Sequence, residues 1–329
     1  MKKRNFLILI AILFAITSCN KIDEITDGGI FPPSKSSPQE QMRYFTDFEE
    51  LKNEVDKTLG FSLDELIAYE KSIDFNSFGK LAELAMEPLL REVESKTITS
   101  TRVSQVLSVN SELLQIVTDE DGDDVFETKC SKSPYRYIMN TNCMFQAEKL
   151  CYKVFEEGHV SCDAEYYNEL FEMTEHDFAT LESNEKFCVF KYKSGAKGNY
   201  GQQKEVKAEK DKEQVRVMFY YVQVYRTMIN GQVCISGLFC VKTRGYQKAL
   251  GTWWQVRRTC ENDLTAYINV YQSVVSGKDK GSTLAYKREE VLRAINITLP
   301  VGVSSENIYI HSASGIGKTP PVTCVIELL

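Results

Sequence analysis

Histidine is scarce in this chain: His159, His176 and His311 are the only three among 329 residues. A hydrolase with an imidazole base therefore has few candidates. No Gly-x-Ser-x-Gly nucleophile elbow and no His-Glu-x-x-His helix is present, which removes two common hydrolase signatures. Proline and glycine are sparse beside 17 Tyr and 17 Phe, a balance that fits a folded chain and not a disordered one. There is no basic excess. The net charge is −7, and it becomes −10 once the three cations of residues 1–18 are set aside (−7 less 3). An acidic chain is a poor partner for nucleic acid, whose phosphates select basic surfaces. After residue 17 no stretch is long and apolar enough to span a bilayer, which takes about 20 residues.

What is present at the start is an address. Lys2, Lys3 and Arg4 precede an apolar stretch, Phe6 to Thr17, that is too short to cross a membrane comfortably and reads as a removable signal peptide. Ile16-Thr17-Ser18-Cys19 resembles the bacterial lipobox, with residues 1–18 removed and the Cys19 thiol carrying the lipid. Several acyl chains of the palmitate type on one cysteine anchor a protein without a spanning helix. Asn20-Lys21-Ile22-Asp23-Glu24 resembles the tag that sends Bacteroidota lipoproteins to the outer face of the outer membrane. The expected location is therefore the cell surface, with the periplasmic face as the alternative.

Nine further cysteines follow: Cys130, Cys143, Cys151, Cys162, Cys188, Cys234, Cys240, Cys260 and Cys324. An odd number cannot all pair within one chain, and the spacings match no zinc ribbon or small disulfide framework. Several sit in apolar runs, such as Phe187-Cys188-Val189 and Phe239-Cys240-Val241, where a free cysteine acts as a small hydrophobe. Mostly reduced, buried thiols are expected.

Residues 19–37 read as a tether, rich in Gly, Pro and Ser. Residues 38–117 read as helical. Capping boxes at Thr46–Glu49 and Ser62–Glu65 each precede an apolar face, and a third helix over about 77–94 is expected to break or kink at Pro88. A short helix over Val103–Leu107 follows. Residues 118–193 read as mixed. Strands flank the acidic turn Asp119–Asp124, a strand pair is expected over Tyr135–Met139 and Phe145–Phe155, and Asp163–Met173 reads as a helix. Residues 194–213 are polar, charged and without an apolar face, and read as a long loop. Residues 214–329 read as an antiparallel β domain, with Asn230-Gly231 as a hairpin turn. The fold class is thus α+β, a helical N-terminal segment followed by a sandwich or open barrel.

A resemblance runs across the first half. Phe45-Thr46-Asp47-Phe48-Glu49-Glu50-Leu51, Leu63-Asp64-Glu65-Leu66, Tyr69-Glu70-Lys71-Ser72, Phe75-Asn76-Ser77-Phe78-Gly79 and Leu113-Leu114-Gln115-Ile116-Val117 follow in order. The pattern resembles uncharacterised outer-membrane lipoproteins of gut Bacteroidota over residues 40–155. It departs at Cys143 and Ala147-Glu148, which stand where that family has glycine-containing turns. The resemblance implies an envelope location and supplies no catalytic residues.

Five constellations invite a functional reading. Asp119-Glu120-Asp121-Gly122-Asp123-Asp124 is oxygen-rich, as calcium requires, but its spacing fails the EF-hand and fits a solvated acidic turn. Ser314-Gly315-Ile316-Gly317-Lys318-Thr319 ends like a phosphate loop, yet it lacks the first glycine, and Pro320-Pro321 replaces the helix whose amides would face a phosphate. It reads as a turn into the last strand. His176-Asp177 is a neighbouring pair with no nucleophile attached. Cys143, Cys151, His159 and Cys162 are soft donors that a fold could gather around zinc or use as a cysteine–histidine nucleophile pair; otherwise they are buried thiols and a surface histidine. Trp253 and Trp254, with Tyr246 and Tyr267, form a candidate aromatic platform for sugar rings, set against burial of both indoles.

The function expected from these features is a surface-anchored, non-enzymatic binding or interaction module with a glycan or protein ligand. The alternative is an envelope enzyme or zinc protein built on the Cys143, Cys151, His159 and Cys162 cluster. No cofactor is implied.

Overall fold

The computed structural model describes residues 42–192, 202–229, 232–300 and 308–328. The expected signal peptide, Cys19, the tether and the Asn230-Gly231 turn lie outside the described residues. What is described is α+β, with mainly antiparallel sheets.

The first helix, α1 (Phe48–Leu59), is capped by Asp47, whose side chain accepts the Glu50 amide. Glu50 in turn accepts from the Thr46 amide and hydroxyl. The box expected at Thr46 and Glu49 does not form; Asp47 caps the helix instead, where its carboxylate meets the positive end of the helix dipole. In α2 (Leu63–Ser72) the Ser62–Glu65 box forms where the sequence places it. The third helix, α3 (Phe78–Glu94), continues through Pro88 without the expected break. Proline inside a helix costs about 3 kcal/mol. Beyond it lie Leu89, Leu90 and Val93, all buried, each worth roughly 1.5–3 kcal/mol of apolar burial, so packing outweighs the lost hydrogen bond. The last helix of this layer, α4 (Ser100–Val109), ends where Asn110 Nδ2 donates to the Val106 carbonyl.

Strand β1 (Tyr44–Phe45) opens the chain's sheets, and the hairpin β2 (Leu114–Thr118) and β3 (Asp124–Thr128) flanks the acidic turn as expected. The stretch Tyr135–Met139 is not a strand. Pro134 and the Ser133 hydroxyl, which accepts the Tyr135 amide, start a 3-10 turn over Pro134–Tyr137. The single run expected over Phe145–Phe155 is a hairpin, β4 (Met144–Ala147) and β5 (Leu150–Phe155), turned at Glu148 with φ 51°. Next come β6 (Gly158–Asp163), the short helices α5 (Tyr167–Glu172) and α6 (Glu175–Thr180), and β7 (Phe187–Lys191). These strands make a sheet in the order β1-β4-β5-β6-β7, and α5 and α6 bury Leu170 and Phe178 in an apolar cluster with Met144, Cys151, Phe155 and Cys162 of its strands.

Part of the stretch expected to be a loop is β8 (Gln203–Lys210). Its Lys and Glu residues suit the sheet edge it occupies, where charge discourages pairing with another chain. The remaining strands are β9 (Glu213–Ile229), β10 (Gln232–Ala249), β11 (Thr252–Gln255), β12 (Arg258–Val270), β13 (Ser273–Ala285), β14 (Lys287–Leu299), β15 (Ile308–Thr319) and β16 (Val322–Leu328). A second sheet runs β2-β3-β11-β10-β9-β8, with β14 also paired to β10. It therefore draws on residues 114–128 as well as on the C-terminal half, through a parallel pairing of Trp253 with Val125 and Trp254 with Phe126. The third sheet, β13-β12-β15-β16, packs β15 and β16 on β8 and β9.

Candidate functional site

Strand geometry separates the expected cysteine–histidine cluster. Cys151 faces Cys162 across β5 and β6, while His159 faces Val154. Successive side chains alternate between faces, so His159 lies on the opposite side of the sheet from both thiols. Cys143 sits in the turn before β4, where its carbonyl accepts the Val154 amide at 2.8 Å. Among the described residues no three His, Cys, Asp or Glu side chains gather as a metal site. His159 is not on the surface either. It is packed against Tyr135 at 5.7 Å and Phe190 at 5.2 Å, and burial pushes its pKa down to about 3.

The aromatic platform is also undone. Trp253, Trp254 and Tyr246 are at most 1% exposed. The two indoles do point to opposite faces, but both faces are covered. Trp254 stacks on Phe126 at 4.4 Å and donates its Nε1 hydrogen to Ala249, near α3. Trp253 packs with Tyr246 and Val125 under a roof of cations, with Lys248 over its ring at 5.0 Å and Arg216 over Tyr246 at 5.0 Å. Tyr267 of β12 stays partly exposed but stands apart from them in the third sheet.

The acidic turn is spent on ion pairs. Asp119 accepts the Asp121 and Asp123 amides and pairs with Lys207 and Arg216, and Asp123 pairs with Lys248. Ser314–Thr319 lies within β15 and leads through Pro320-Pro321 into β16. His176 is exposed in α6, where the Asp177 carboxylate closes a capping box with Thr174.

Two features were not read from the sequence. The first is a buried charged seam. Glu289 of β14 binds the Arg136 guanidinium through both oxygens, accepts the Tyr220 hydroxyl, and lies 3.6 Å from Lys242, its cross-strand neighbour on β10. Burial alone would raise its pKa, but Arg136, Lys242 and Lys287 together hold it well below the usual carboxylate range. Lys242, buried and repelled by Arg136, is pushed down to about 7. It donates to the Ser131 carbonyl at 2.6 Å, and Lys287 pairs with Glu83 of α3 at 2.6 Å. The seam ties the Pro134–Tyr137 turn and α3 to β9, β10 and β14. Its burial makes it a clamp, not a place for a ligand. Lys242, a charged position inside the otherwise apolar run of β10, was the signal for it.

The second feature is a cleft of about 620 Å³ lined by Glu94, Lys96, Glu213, Gln247, Arg257, Arg258 and Leu284. Glu94 is the last residue of α3 and accepts the Arg257 amide at 2.9 Å. Lys96 follows in a left-handed conformation with φ 59°, closing the helix. Glu213 faces Gln247 across β9 and β10, and both of its oxygens are held by Arg258 at 2.8 and 3.0 Å. The two acids are thus engaged. Among the described residues the Arg257 and Lys96 side chains make no ion pair, and Leu284 beside them is 61% exposed. The cleft offers two uncommitted cations, an amide and an apolar contact. Its lining contains no histidine, cysteine or serine. The dipeptide Arg257-Arg258 at a strand start was its only sequence signal.

No protein-family model matches the chain, and no curated protein matches its sequence. A DUF4848 family protein from Bacteroides thetaiotaomicron, known from a crystal structure, is similar at 12% identity and a TM-score of 0.30, covering 89% of this chain and 98% of that one. At that score the likeness carries no argument about fold or function.

Proposed function

We propose that the chain is a lipid-anchored envelope protein that works as a non-enzymatic binding module, with this cleft as its contact surface for an anionic ligand. The lipobox at Cys19 and the acidic residues after it support the anchor and the outward location. The observation that carries the binding reading is the pairing of two uncommitted cations, Arg257 and Lys96, with exposed Leu284, in a cleft whose own acids are already engaged. An acidic glycan or an acidic protein segment meets that chemistry. Stacking of sugar rings on Trp253 or Trp254 does not, because both are buried.

The test is a side-by-side screen of the mature chain and its Arg257→Glu variant on arrays of acidic glycans and acidic peptides. A ligand held by the wild type and weakened about tenfold in the variant, the equivalent of about 1.4 kcal/mol, is the expected result. Binding that is indifferent to Arg257→Glu and Leu284→Arg, or turnover of a ligand, would overturn the reading.

A further inference from the structure

Lys207 of β8, Arg216 of β9 and Arg244 of β10 face one another across three neighbouring strands. Like charges directly opposite repel, so such a row needs anions. Glu205 lies 3.3 Å from Arg216 and 3.7 Å from Arg244, and Glu127 lies 3.6 Å from Arg244. The rest comes from the acidic turn. In the order β2-β3-β11-β10-β9-β8 the hairpin that carries the turn stands at one end of the sheet and Lys207 at the other. Yet Asp119 reaches Lys207 at 3.0 Å and Arg216 at 2.9 Å, Asp121 pairs with Lys207, and Asp123 reaches Lys248 at 3.2 Å. The sheet therefore curls until the tip of its first hairpin rests on the cations of its last strands. A Cβ on Gly122 would meet nothing within 4 Å, so that side of the tip is open.

The contact leaves donors unspent. Gln214 faces Tyr246 across β9 and β10, and Tyr246 packs with Trp253. All three are at most 1% exposed. The Tyr246 hydroxyl, Trp253 Nε1 and Gln214 Nε2 have no hydrogen-bond partner among the described residues. The Gln214 amide is oriented by its other end, where Oε1 accepts from Arg216 Nε. Buried polar groups are normally paired, so these O–H and N–H groups mark a face that takes more acceptor oxygens than the turn brings.

We propose that this face is a docking site for an acidic segment of another protein, and that the Asp119–Asp123 turn holds the site closed as an internal stand-in for that segment. The turn shows the charge pattern the face accepts: carboxylates at alternate positions, 119, 121 and 123, each set on a cation. An incoming segment takes over Lys207 and Lys248 and brings carbonyl oxygens to the unpaired donors. Turn and segment compete, so the apparent affinity is reduced by the share of chains in which the turn is seated. The site is separate from the cleft. Glu213 and Gln247, which line the cleft, are chain neighbours of Gln214 and Tyr246, and adjacent strand residues point to opposite faces.

The probe is a synthetic peptide with the sequence of residues 118–124, titrated into the full mature chain carrying Arg257→Glu, so that the cleft does not contribute. Adding Asp121→Asn and Asp123→Asn should unseat the turn and tighten peptide binding about tenfold. Adding Lys207→Glu and Lys248→Glu to that chain should abolish the gain. In the wild type, excess peptide should speed hydrogen exchange at the Asp121 and Asp123 amides, which the Asp119 carboxylate holds. If the substituted chains do not fold, the wild-type exchange still decides. Equal peptide binding with and without the turn's carboxylates, a gain that survives Lys207→Glu and Lys248→Glu, or unchanged exchange under excess peptide would overturn the proposal.

Discussion

His159 shows how burial rewrites a side chain's chemistry. Its Nδ1 has no hydrogen-bond partner among the described residues, and burial pushes its pKa down to about 3 from the ordinary 6.5. Folding therefore excludes a proton that the unfolded chain accepts. The stability this group contributes is complete above pH 6.5 and is lost as pH falls from 6.5 toward 3, by up to about 1.4 kcal/mol per pH unit. Melting curves at pH 7 and pH 4 should show a fall for the wild type that is smaller in His159→Phe, whose ring has no proton to gain. An equal fall in both would reject the assignment. At the seam, Arg136→Ala strands a buried carboxylate and should cost about 3–5 kcal/mol in denaturant unfolding. The triple change Arg136→Met, Lys242→Met and Glu289→Leu should recover much of that loss, because it removes the buried carboxylate together with both cations that pair with it. At this scale the sequence was informative about residue types and not about faces. His159 and Cys162 are three apart, and had β6 been recognised as a strand, that spacing alone would have placed them on opposite sides. Trp253 and Trp254 are adjacent on β11 and so point to opposite faces. Their burial follows from Phe126 and Val125, which are remote in sequence.

Helix α3 makes its contacts at the element scale. A Cβ on Gly79 would come within 2.5 Å of the Tyr137 ring and 2.8 Å of the Arg136 carbonyl. Alanine improves helix propensity by about 1 kcal/mol, but a backbone oxygen cannot yield cheaply, and overpacking costs about 1–3 kcal/mol. Gly79→Ala should therefore lower stability in spite of the propensity gain, and chemical denaturation would show it as a lower midpoint with an unchanged slope. A raised midpoint would mean that the helix can draw back from the turn. The Ser62–Glu65 cap and the β2–β3 hairpin were legible because each is fixed by residues a few positions apart. Strands β8 and β13 were not. Their runs, Gln203–Lys210 and Ser273–Ala285, are rich in Lys, Glu, Ser and Gly, and they pair along sheet edges without the apolar alternation that marks a half-buried strand.

At the scale of the whole molecule, the α+β class and the antiparallel habit of the C-terminal half could be read from pattern. The joining of halves could not, because the pairing of β3 with β11 links segments far apart in the chain and leaves no local trace. The cleft is likewise non-local, made where the end of α3 meets the starts of β9 and β12. On the proposed lipid anchoring at Cys19, it meets ligands from outside the cell only if the folded body faces outward. Protease shaving of intact cells, with lysed cells as control, tests that directly. Loss of the chain from intact cells is the predicted result. Survival in intact cells with loss only after lysis would place the body in the periplasm and contradict the surface reading.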